Sequence, residues 1–314
     1  MAGPRLVVPG PTFTPLSYGL WDAVQKPTAE TSHWQNGITW IDRCPTGDTL
    51  YEECIAVTGS GGSPTAQAAM TNNIVQTNRG ATPFACYVEF DCSPVGLTDA
   101  QDIADLALSK VSGYQLEKAF WTGVAGKTKT GNVAQTTVFP HLAAISSLAD
   151  PNDSSIVLQP ATNTSVTGSS TTDIVDGLGQ LENALAGCYH GQGVIHVPYT
   201  ALPTLVAWDL VEDDGNGGLY TESAGNRVVA GHGYPGTAPW GAAPAAGSTW
   251  MYATGAIFGY QAPVNIGTLT ELFDRSENTH HMMAEQVYVL GFECCLFATQ
   301  VALGVVVSGG SSGV

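Results

Sequence analysis

The sequence predicts a mixed α+β protein with long loops, on the strength of three observations. Residues 98–122 have the apolar spacing of one long helix. Segments in which apolar and polar residues alternate, such as 84–92, are typical of strands that bury one face. The chain also has 37 Gly and 18 Pro among 314 residues, which favours many turns and argues against a helical bundle. A hydrophobic content of 44% is enough to build substantial cores.

The charge balance is strongly acidic. Lys and Arg number 10 against 27 Asp and Glu, which gives a formal net charge of −17. Such a surface repels a phosphate backbone, so the composition argues against a protein that binds nucleic acid closely.

The sequence carries no pattern of an exported or membrane-spanning protein. Seven cysteines without short regular spacing do not predict a disulfide framework, and we expect reduced thiols. Four prolines interrupt the first 20 residues, where a signal peptide needs an unbroken apolar stretch. The apolar run 287–307 could span a bilayer, but Glu293 and Gln300 near its middle and its β-branched residues favour two buried strands.

Two segments near the N-terminus lack a core of their own. Residues 1–33 contain five prolines and are interpreted as an extended arm, whose Phe13 and Trp21 need a partner surface. A short strand is predicted at 37–41. Residues 42–83 follow it and are rich in Thr, Ser and Gly, which indicates a long projecting loop.

The strand predicted at 84–92 leads into the long helix. Thr98 is placed to cap this helix, Gln101 completes a capping box, and Gly123 is placed to end it. At roughly 100° per residue, one stripe of the helix should be buried and the opposite stripe exposed. The stripe expected to be buried is Ile103, Ala107, Val111, Tyr114 and Trp121, and the one expected to be exposed is Asp102, Asp105, Ser109 and Ser112.

A second compact α/β unit is predicted from about 170 to 265. It begins with a helix at 173–190 that Asp173 caps, followed by a buried strand in GVIHVP and a short helix in TALPTLVAW. A hairpin that turns at Asp214 to Gly217 comes next. The strands in 284–306 are expected to return to the first unit, because the long helix needs a sheet to lie on.

Two short motifs resemble catalytic or nucleotide-binding sequences. Gly231, Gly233 and Gly236 match Gly-x-Gly-x-x-Gly, but no helix is predicted after them, so a pyrophosphate site is not expected. The Gly-x-Ser-x-Gly match at Gly309, Ser311 and Gly313 lies in a polar tail without a strand before it or a helix after it. Neither motif is therefore expected to form a nucleotide-binding or catalytic site.

Candidate metal ligands have an ordinary alternative in each case. Four cysteines could meet as thiolates, but their spacing is not that of a zinc site, and buried free thiols are the preferred interpretation. Adjacent histidines with a nearby carboxylate make a poor paired site, and an acidic turn lacks the glutamate of a calcium loop. Two Asn-x-Ser acceptors matter only for an exported protein. The three candidate metal sites are Cys44, Cys54, Cys86 and Cys92; His280, His281 and Glu285; and Asp213, Asp214 and Asn216. The two glycosylation acceptors are Asn152 and Asn163.

The order of elements, with several local sequences, resembles a known family. The elements are an arm, a long loop, a long helix, a second α/β unit and returning strands. The local sequences are PFACYVEFDC, LEKAFWTG, GCYHGQGVIHVP, LYTESAGNRVVAGHGYPG, WMYATG and ENTHHMMAEQVYV. In this order they resemble the major capsid proteins of tailed phages with the HK97-type fold, in particular those of phages that infect actinobacteria. The resemblance covers nearly the full length.

The resemblance implies a division of the chain into named parts. The long helix becomes the spine helix of a peripheral domain, and the second unit becomes the domain that gathers around the hexamer and pentamer axes. The expected parts are an N-terminal arm at 1–41, an E-loop at 42–83, a P-domain at 84–169 and 266–307, an A-domain at 170–265 and a flexible tail at 308–314.

The resemblance also implies function and partners. The chain would assemble with itself as hexamers and pentamers into the icosahedral head of a virion, built in the host cytoplasm, that encloses double-stranded DNA without specific binding. It would be a structural protein rather than an enzyme, with no metal, cofactor or membrane. A portal and decoration proteins are the further expected partners. One alternative is an encapsulin-like protein compartment of the same fold, which holds a cargo enzyme. A second is an exported acidic hydrolase or lectin, which would require a signal peptide and convergent acid–base residues that the sequence does not show.

Two more expectations concern assembly. No helical segment precedes the proline-rich arm, so a separate scaffolding protein is expected. In cross-linking members of the family, a lysine of the E-loop forms an isopeptide bond with a neighbouring asparagine. Here Lys26 is followed by no lysine until Lys110, so 42–83 has no amine for this bond.

Overall fold

The computed structural model describes residues 13–28, 31–45, 74–92, 97–125, 136–164, 171–274 and 279–304. Within these ranges lie two short 3-10 helices, Ser32–Asn36 and Tyr199–Ala201. The α-helices of these ranges are α1 (Leu20–Ala23), α2 (Leu97–Thr122), α3 (Ile174–Cys188) and α4 (Leu202–Ala207). The strands are β1 (Ile38–Pro45), β2 (Ile74–Ala81), β3 (Phe84–Cys92), β4 (Val124–Ala125), β5 (Thr136–Thr137), β6 (Leu148–Ala149), β7 (Ile156–Gln159), β8 (Val194–Pro198), β9 (Val211–Asp213), β10 (Leu219–Thr221), β11 (Arg227–Gly231), β12 (Ser248–Thr254), β13 (Ile257–Gln261), β14 (Asn265–Asp274), β15 (Thr279–Phe292) and β16 (Leu296–Ala302).

The predicted long helix is confirmed as α2, and it lies against a sheet of four strands. The central strand is β15, which pairs antiparallel with β3 on one side and with β13 and β14 on the other. In β3, Phe84 and Cys86 are buried and Ala85 is exposed, as the alternation predicts. The predicted cap at Thr98 lies outside the described side chains. At the other end, Gly123 follows the helix with φ of 72°, a conformation that glycine adopts readily, and it ends the helix as predicted.

The buried stripe of α2 differs from the predicted one. Ile103 is 51% exposed and Tyr114 is 43% exposed, so the prediction is wrong for both, although Trp121 is fully buried. Because apolar residues lie on several faces of this helix, periodicity alone does not select the face that packs. The small side chain of Ala104 lets one of these faces approach the sheet closely. The buried apolar residues of α2 are Ala104, Leu108, Leu116, Ala119, Phe120 and Trp121.

The second unit is built on a six-stranded sheet with the order β16-β12-β8-β11-β10-β9. Every residue of β8 is buried, because side chains from both of its faces enter a core. Val194 belongs to the core that contains the end of α2, and Ile195 belongs to the core beneath α3. The predicted cap of α3 is confirmed, since Asp173 accepts a hydrogen bond from the N–H of Val175 at 2.8 Å.

The strands near the C-terminus divide between the two sheets. The predicted pair of buried strands in 287–307 is confirmed, and no helix among the described residues is long and apolar enough to cross a membrane. β15 joins the sheet beneath α2, as expected. β16 instead pairs with β12 in the six-stranded sheet, so its expected return to the first unit is wrong. Conversely, β13 pairs with β15, although the sequence grouped it with the second unit.

A hairpin of β1 and β2 stands at the base of the predicted loop. The two strands pair antiparallel from Ile38 opposite Ala81 to Pro45 opposite Ile74. They extend a sheet with the order β1-β2-β7-β6. The ends of the range 42–83 are therefore strand rather than loop, and 46–73 lies outside the described residues.

The described part of the arm packs on its own chain. Leu20 is fully buried and Val24 is nearly so, and both belong to the core that contains α2. Gln25 forms a parallel bridge with Phe258 of β13, and the ring of Trp21 meets the edge of Tyr288 at 5.3 Å. The expectation that the whole of 1–33 lacks a core is therefore wrong for residues 20–25.

Candidate functional site: assembly surfaces and a buried carboxylate

An exposed apolar stripe runs along α2 on the side away from its sheet. Ile103, Leu106, Lys110 and Tyr114 follow one another at helical spacing, and all four are exposed. The Lys110 Nζ lies 5.9 Å from the ring centre of Phe13, so the arm borders this stripe. We call these four helix residues the outer stripe. Large apolar side chains that share one exposed face are suited to contact with another molecule.

A second exposed apolar region surrounds a groove of about 610 Å³ beside the end of α2. Ile145 is 67% exposed and Trp240 is 58% exposed, and Val124 and Leu148 lie along the same groove. Lys118 is the charged side chain at its rim that α2 contributes. The groove is thus mainly apolar and open to solvent, which again suits a protein contact.

One turn beyond the outer stripe, on the same side of α2, the carboxylate of Glu117 joins three segments of the chain. It is 1% exposed. Its Oε1 accepts a hydrogen bond from the N–H of Leu20 at 3.1 Å, and its Oε2 accepts one from the N–H of Gly233 at 2.8 Å. The Nδ1 of His232 lies 3.1 Å from Oε2. The arm, the spine helix and the loop after β11 therefore meet at one buried charge, which these donors stabilise.

The neighbouring imidazole is affected by the same carboxylate. The hydrogen bond from His232 to Glu117 favours the charged imidazolium and raises the pKa of His232 above its ordinary value, although partial burial opposes this. The stabilisation that this ion pair provides is thus strongest at acidic pH.

The glycines of the GHGYPG motif have a packing role. A side chain at Gly233 would collide with the carbonyl oxygen of Tyr114, so only glycine lets this loop lie on α2 and direct its N–H at Glu117. No helix follows the motif, as predicted. Sequence reasoning missed Glu117, because a Glu-Lys pair in a helix usually faces solvent. Its position between the buried Leu116 and Phe120 was the available signal.

Four cysteines are paired, which overturns the expectation of reduced thiols for them. Disulfides join Cys44 to Cys294 and Cys188 to Cys295. Cys86 is a buried free thiol, as predicted, and burial raises its pKa to about 12. Side chains of Cys54 and Cys92 lie outside the described residues. Sequence separations of 250 and 107 leave no local pattern from which the two pairings could be predicted.

One group of potential metal ligands includes a disulfide. The ligand atoms of Asp42, Cys44 and Cys294 lie within 4.8 Å of one another. Because metals bind thiolates, the disulfide between the two cysteines leaves Asp42 as the available ligand of the three.

The other sequence candidates have structural roles or lie outside the described residues. Asp214 accepts backbone hydrogen bonds from Asn216 and Gly218 in the predicted turn, and Asp213 accepts one from the hydroxyl of Tyr18. Glu285 accepts from the amide of Asn265 at 3.2 Å. Asn152 lies in a turn, whereas the backbone of Asn163 pairs with Phe297 of β16. Outside the described side chains are those of His280 and His281 and the segment with Gly309, Ser311 and Gly313.

No protein-family model and no curated protein matches the sequence, whereas solved structures do. The capsid of a native GTA particle is 13% identical to the chain with a TM-score of 0.50, and the match covers 96% of this chain and 95% of that one. A chain from Mycobacterium phage Ogopogo is 12% identical with a TM-score of 0.48, covering 95% and 97%. A chain from Gordonia phage Cozz is 10% identical with a TM-score of 0.47, covering 95% and 91%.

At such low identity, the match to the GTA capsid concerns the fold alone. It extends over nearly the whole of both chains. The long helix on a sheet and a second α/β unit are elements that the sequence predicts, although the strands β13 and β16 belong to other sheets than expected. The chain therefore has the HK97-type capsid fold.

Proposed function

We propose that the protein is the major capsid protein of a tailed phage. It assembles with itself into hexamers and pentamers and forms an icosahedral head around double-stranded DNA. The observation that carries this proposal is the likeness of the whole chain to the capsid of the GTA particle. In this role the protein is structural, and its place is the virion after assembly in the host cytoplasm.

The exposed surfaces of the single chain support self-association. A chain that stayed alone in water would rarely keep both the outer stripe and the Ile145–Trp240 groove exposed. Contact with a second copy would remove these side chains from water. Each large apolar side chain that becomes fully buried would stabilise the contact by about 1.5–3 kcal/mol. Repeated over every subunit of a shell, contacts of this size give a stable particle without a covalent link between chains.

The charge of the chain is consistent with a container for DNA. With a net charge of −17, the protein does not attract the phosphate backbone as a whole. DNA can then be packed and released without adhering to the wall. A separate scaffolding protein, a portal and decoration proteins are the partners that we propose for assembly.

The test is assembly of the full chain expressed with the scaffolding protein of its phage. We expect closed particles in negative-stain images and DNA that resists nuclease after packaging. Light scattering that finds only monomers under these conditions would contradict the proposal. Particles that contain a protein cargo and no genome would favour the encapsulin-like compartment instead.

A pair of variants on α2 tests the outer stripe. Leu106→Asp places a charge in the stripe and should abolish particles, while the monomer keeps its circular dichroism spectrum because Leu106 is 50% exposed. Ser109→Asp adds the same charge at an exposed position outside the stripe and should assemble normally. If both variants assemble, the outer stripe does not contact a neighbour.

A further inference from the structure

The connection between β15 and β16 is a point where distant parts of the chain converge. It carries the adjacent cysteines Cys294 and Cys295, and each is bonded to a different element. Cys44 belongs to β1, whereas Cys188 is the last residue of α3. Two neighbouring residues thus tie the β1–β2 hairpin and the second unit to one corner of the fold.

The backbone of this corner has an unusual conformation. Cys294 has φ of 49°, in the left-handed region that residues other than glycine, asparagine and aspartate rarely adopt. Hydrogen bonds hold it there, since its N–H donates to Asp42 Oδ2 at 2.9 Å and the next N–H donates to the carbonyl of Glu293 at 2.7 Å. A residue held in this region indicates that the surrounding contacts fix its position.

Asp42 holds the β1 strand that carries Cys44 close to Cys294 by contacts that do not involve the disulfide. It is 2% exposed, and it also accepts a hydrogen bond from Arg79 Nε of β2 at 3.2 Å. The Sγ of Cys294 lies 3.3 Å from Asp42 Oδ1. When the cysteines are reduced, the hairpin therefore still rests on the corner, with the two thiols side by side.

Within the described residues, the contacts of the hairpin with the rest of the chain lie mostly at the end away from Cys44, apart from those of Asp42. Cys44 pairs with Val75 in the half of the hairpin that leads to 46–73. The pairing of β2 with β7, at Asn78 and Arg79, lies nearer the opposite end. Trp40 packs edge-on against Phe258 at 4.9 Å, also on that side. The Cys44–Cys294 bond thus fixes the half of the hairpin that the sheet does not hold.

The two disulfides differ in their exposure to solvent. Cys44 and Cys294 are both half-buried. In the second pair, Cys188 is half-buried and Cys295 is 2% exposed. A small thiol or disulfide in solution can therefore approach either cysteine of the first pair, but only Cys188 of the second.

We propose that Cys44 and Cys294 form a reversible redox lock on the β1–β2 hairpin. The oxidant is a low-molecular-weight disulfide, which accepts the two electrons and two protons that the thiols lose and leaves as two thiols while the Cys44–Cys294 bond forms. An excess of small thiols reverses the exchange and removes this covalent attachment, which leaves the hydrogen bonds of Asp42 to hold that part of the hairpin. The proposal concerns the single chain and does not depend on the capsid role.

Hydrogen exchange of the full chain in two glutathione buffers tests the lock. Both buffers contain EDTA, so that no metal occupies Asp42, Cys44 and Cys294, and both samples are reduced identically after labelling. We expect the amides of 42–44 and 74–77, the half of the hairpin next to Cys44, to exchange at least about tenfold faster in the reducing buffer, a modest change for the loss of a disulfide. Amides of β8 in the core should keep their rates.

Two serine variants separate the lock from the second disulfide. Cys44→Ser should show the fast exchange of the hairpin in both buffers. Cys188→Ser removes only the second bond and should retain the dependence on the buffer. If Cys44→Ser fails to fold, the hydrogen exchange of the wild-type chain, compared between the two buffers, tests the proposal. Equal exchange of the hairpin in both buffers, or alkylation of Cys44 at every glutathione ratio, overturns the proposal.

Discussion

Substitution of Glu117 by Gln is the sharpest test of how the arm is held. Glutamine keeps the size of the side chain but offers one acceptor oxygen and one NH₂ group. In the wild-type chain, the carboxylate accepts hydrogen bonds from the backbone N–H groups of Leu20 and Gly233 and from the imidazole of His232. In the variant, the NH₂ group must face the N–H of either Leu20 or Gly233, and one buried donor then loses its partner.

The expected loss of stability follows from these contacts. A hydrogen bond to a charged group contributes about 1.5–3 kcal/mol, whereas a neutral one contributes about 0.5–1.5 kcal/mol. One bond disappears in the variant and the others become neutral. We therefore expect Glu117→Gln to lower the free energy of unfolding by about 3–5 kcal/mol, the range typical when one member of a buried charged network is removed.

Urea unfolding followed by tryptophan fluorescence measures this loss, and a matched substitution provides the control. Glu212→Gln makes the same chemical change on the exposed edge strand β9 and should alter the free energy of unfolding by less than about 0.5 kcal/mol. Hydrogen exchange should rise in 18–25 and 231–236 of the Glu117 variant. A stability within about 1 kcal/mol of the wild type would refute the assignment of Glu117 as the contact that joins these segments.

Four further predictions concern the imidazole, the arm, the free thiol and the covalent state of the particle. Because the pKa of His232 is raised, its stabilisation is complete below about pH 6.5 and is lost as pH rises through the raised value, so the stability difference between wild type and His232→Gln should shrink with rising pH. A difference that does not change with pH would contradict this. Deletion of 1–28 removes Leu20 and Val24 from the core and should cost at least about 3 kcal/mol of unfolding free energy. A melting temperature equal to that of the full chain would show that the arm adds nothing to the core. Cys86 should resist iodoacetamide in the native chain and react in urea, since it is buried with a pKa raised to about 12, and native labelling would count against its burial. Mature particles should run as one band near 32.6 kDa on a denaturing gel without reductant, because 42–83 has no lysine and the disulfides of the described residues lie within one chain. A ladder that survives reductant would reveal a cross-link between chains.

Sequence reasoning succeeded where the signal is local. The cap at Asp173, the alternation in 84–92 and the turn after Asp213 depend on residues within a few positions of one another, and all three are found in the structure. The position of each of these features follows from rules that apply to a single helix, strand or turn. For that reason the length of α2 was predicted to within one residue.

The sequence could not identify contacts between segments far apart in the chain. The prediction of the face of α2 that packs was wrong because Ile103 and Leu108 are both strongly apolar, and only the tertiary fold determines which of them is buried. β16 leaves the sheet of β15 and pairs with β12, and the alternation of apolar residues within a strand does not predict which strand it pairs with. Glu117 has its partners 97 and 116 positions away, at Leu20 and Gly233.

The two contacts that sequence reasoning missed have the same arrangement. Glu117 receives the arm, and the corner of Asp42 and Cys294 receives the β1–β2 hairpin. In both places a buried carboxylate accepts a backbone N–H from another segment, which adds a polar attachment to the apolar and strand contacts that also hold the arm and the hairpin. The sheets beneath α2 and α3 are held by extensive apolar cores instead. Changes at Glu117 or Asp42 should therefore loosen the arm or the hairpin as well as lower the free energy of unfolding of the chain.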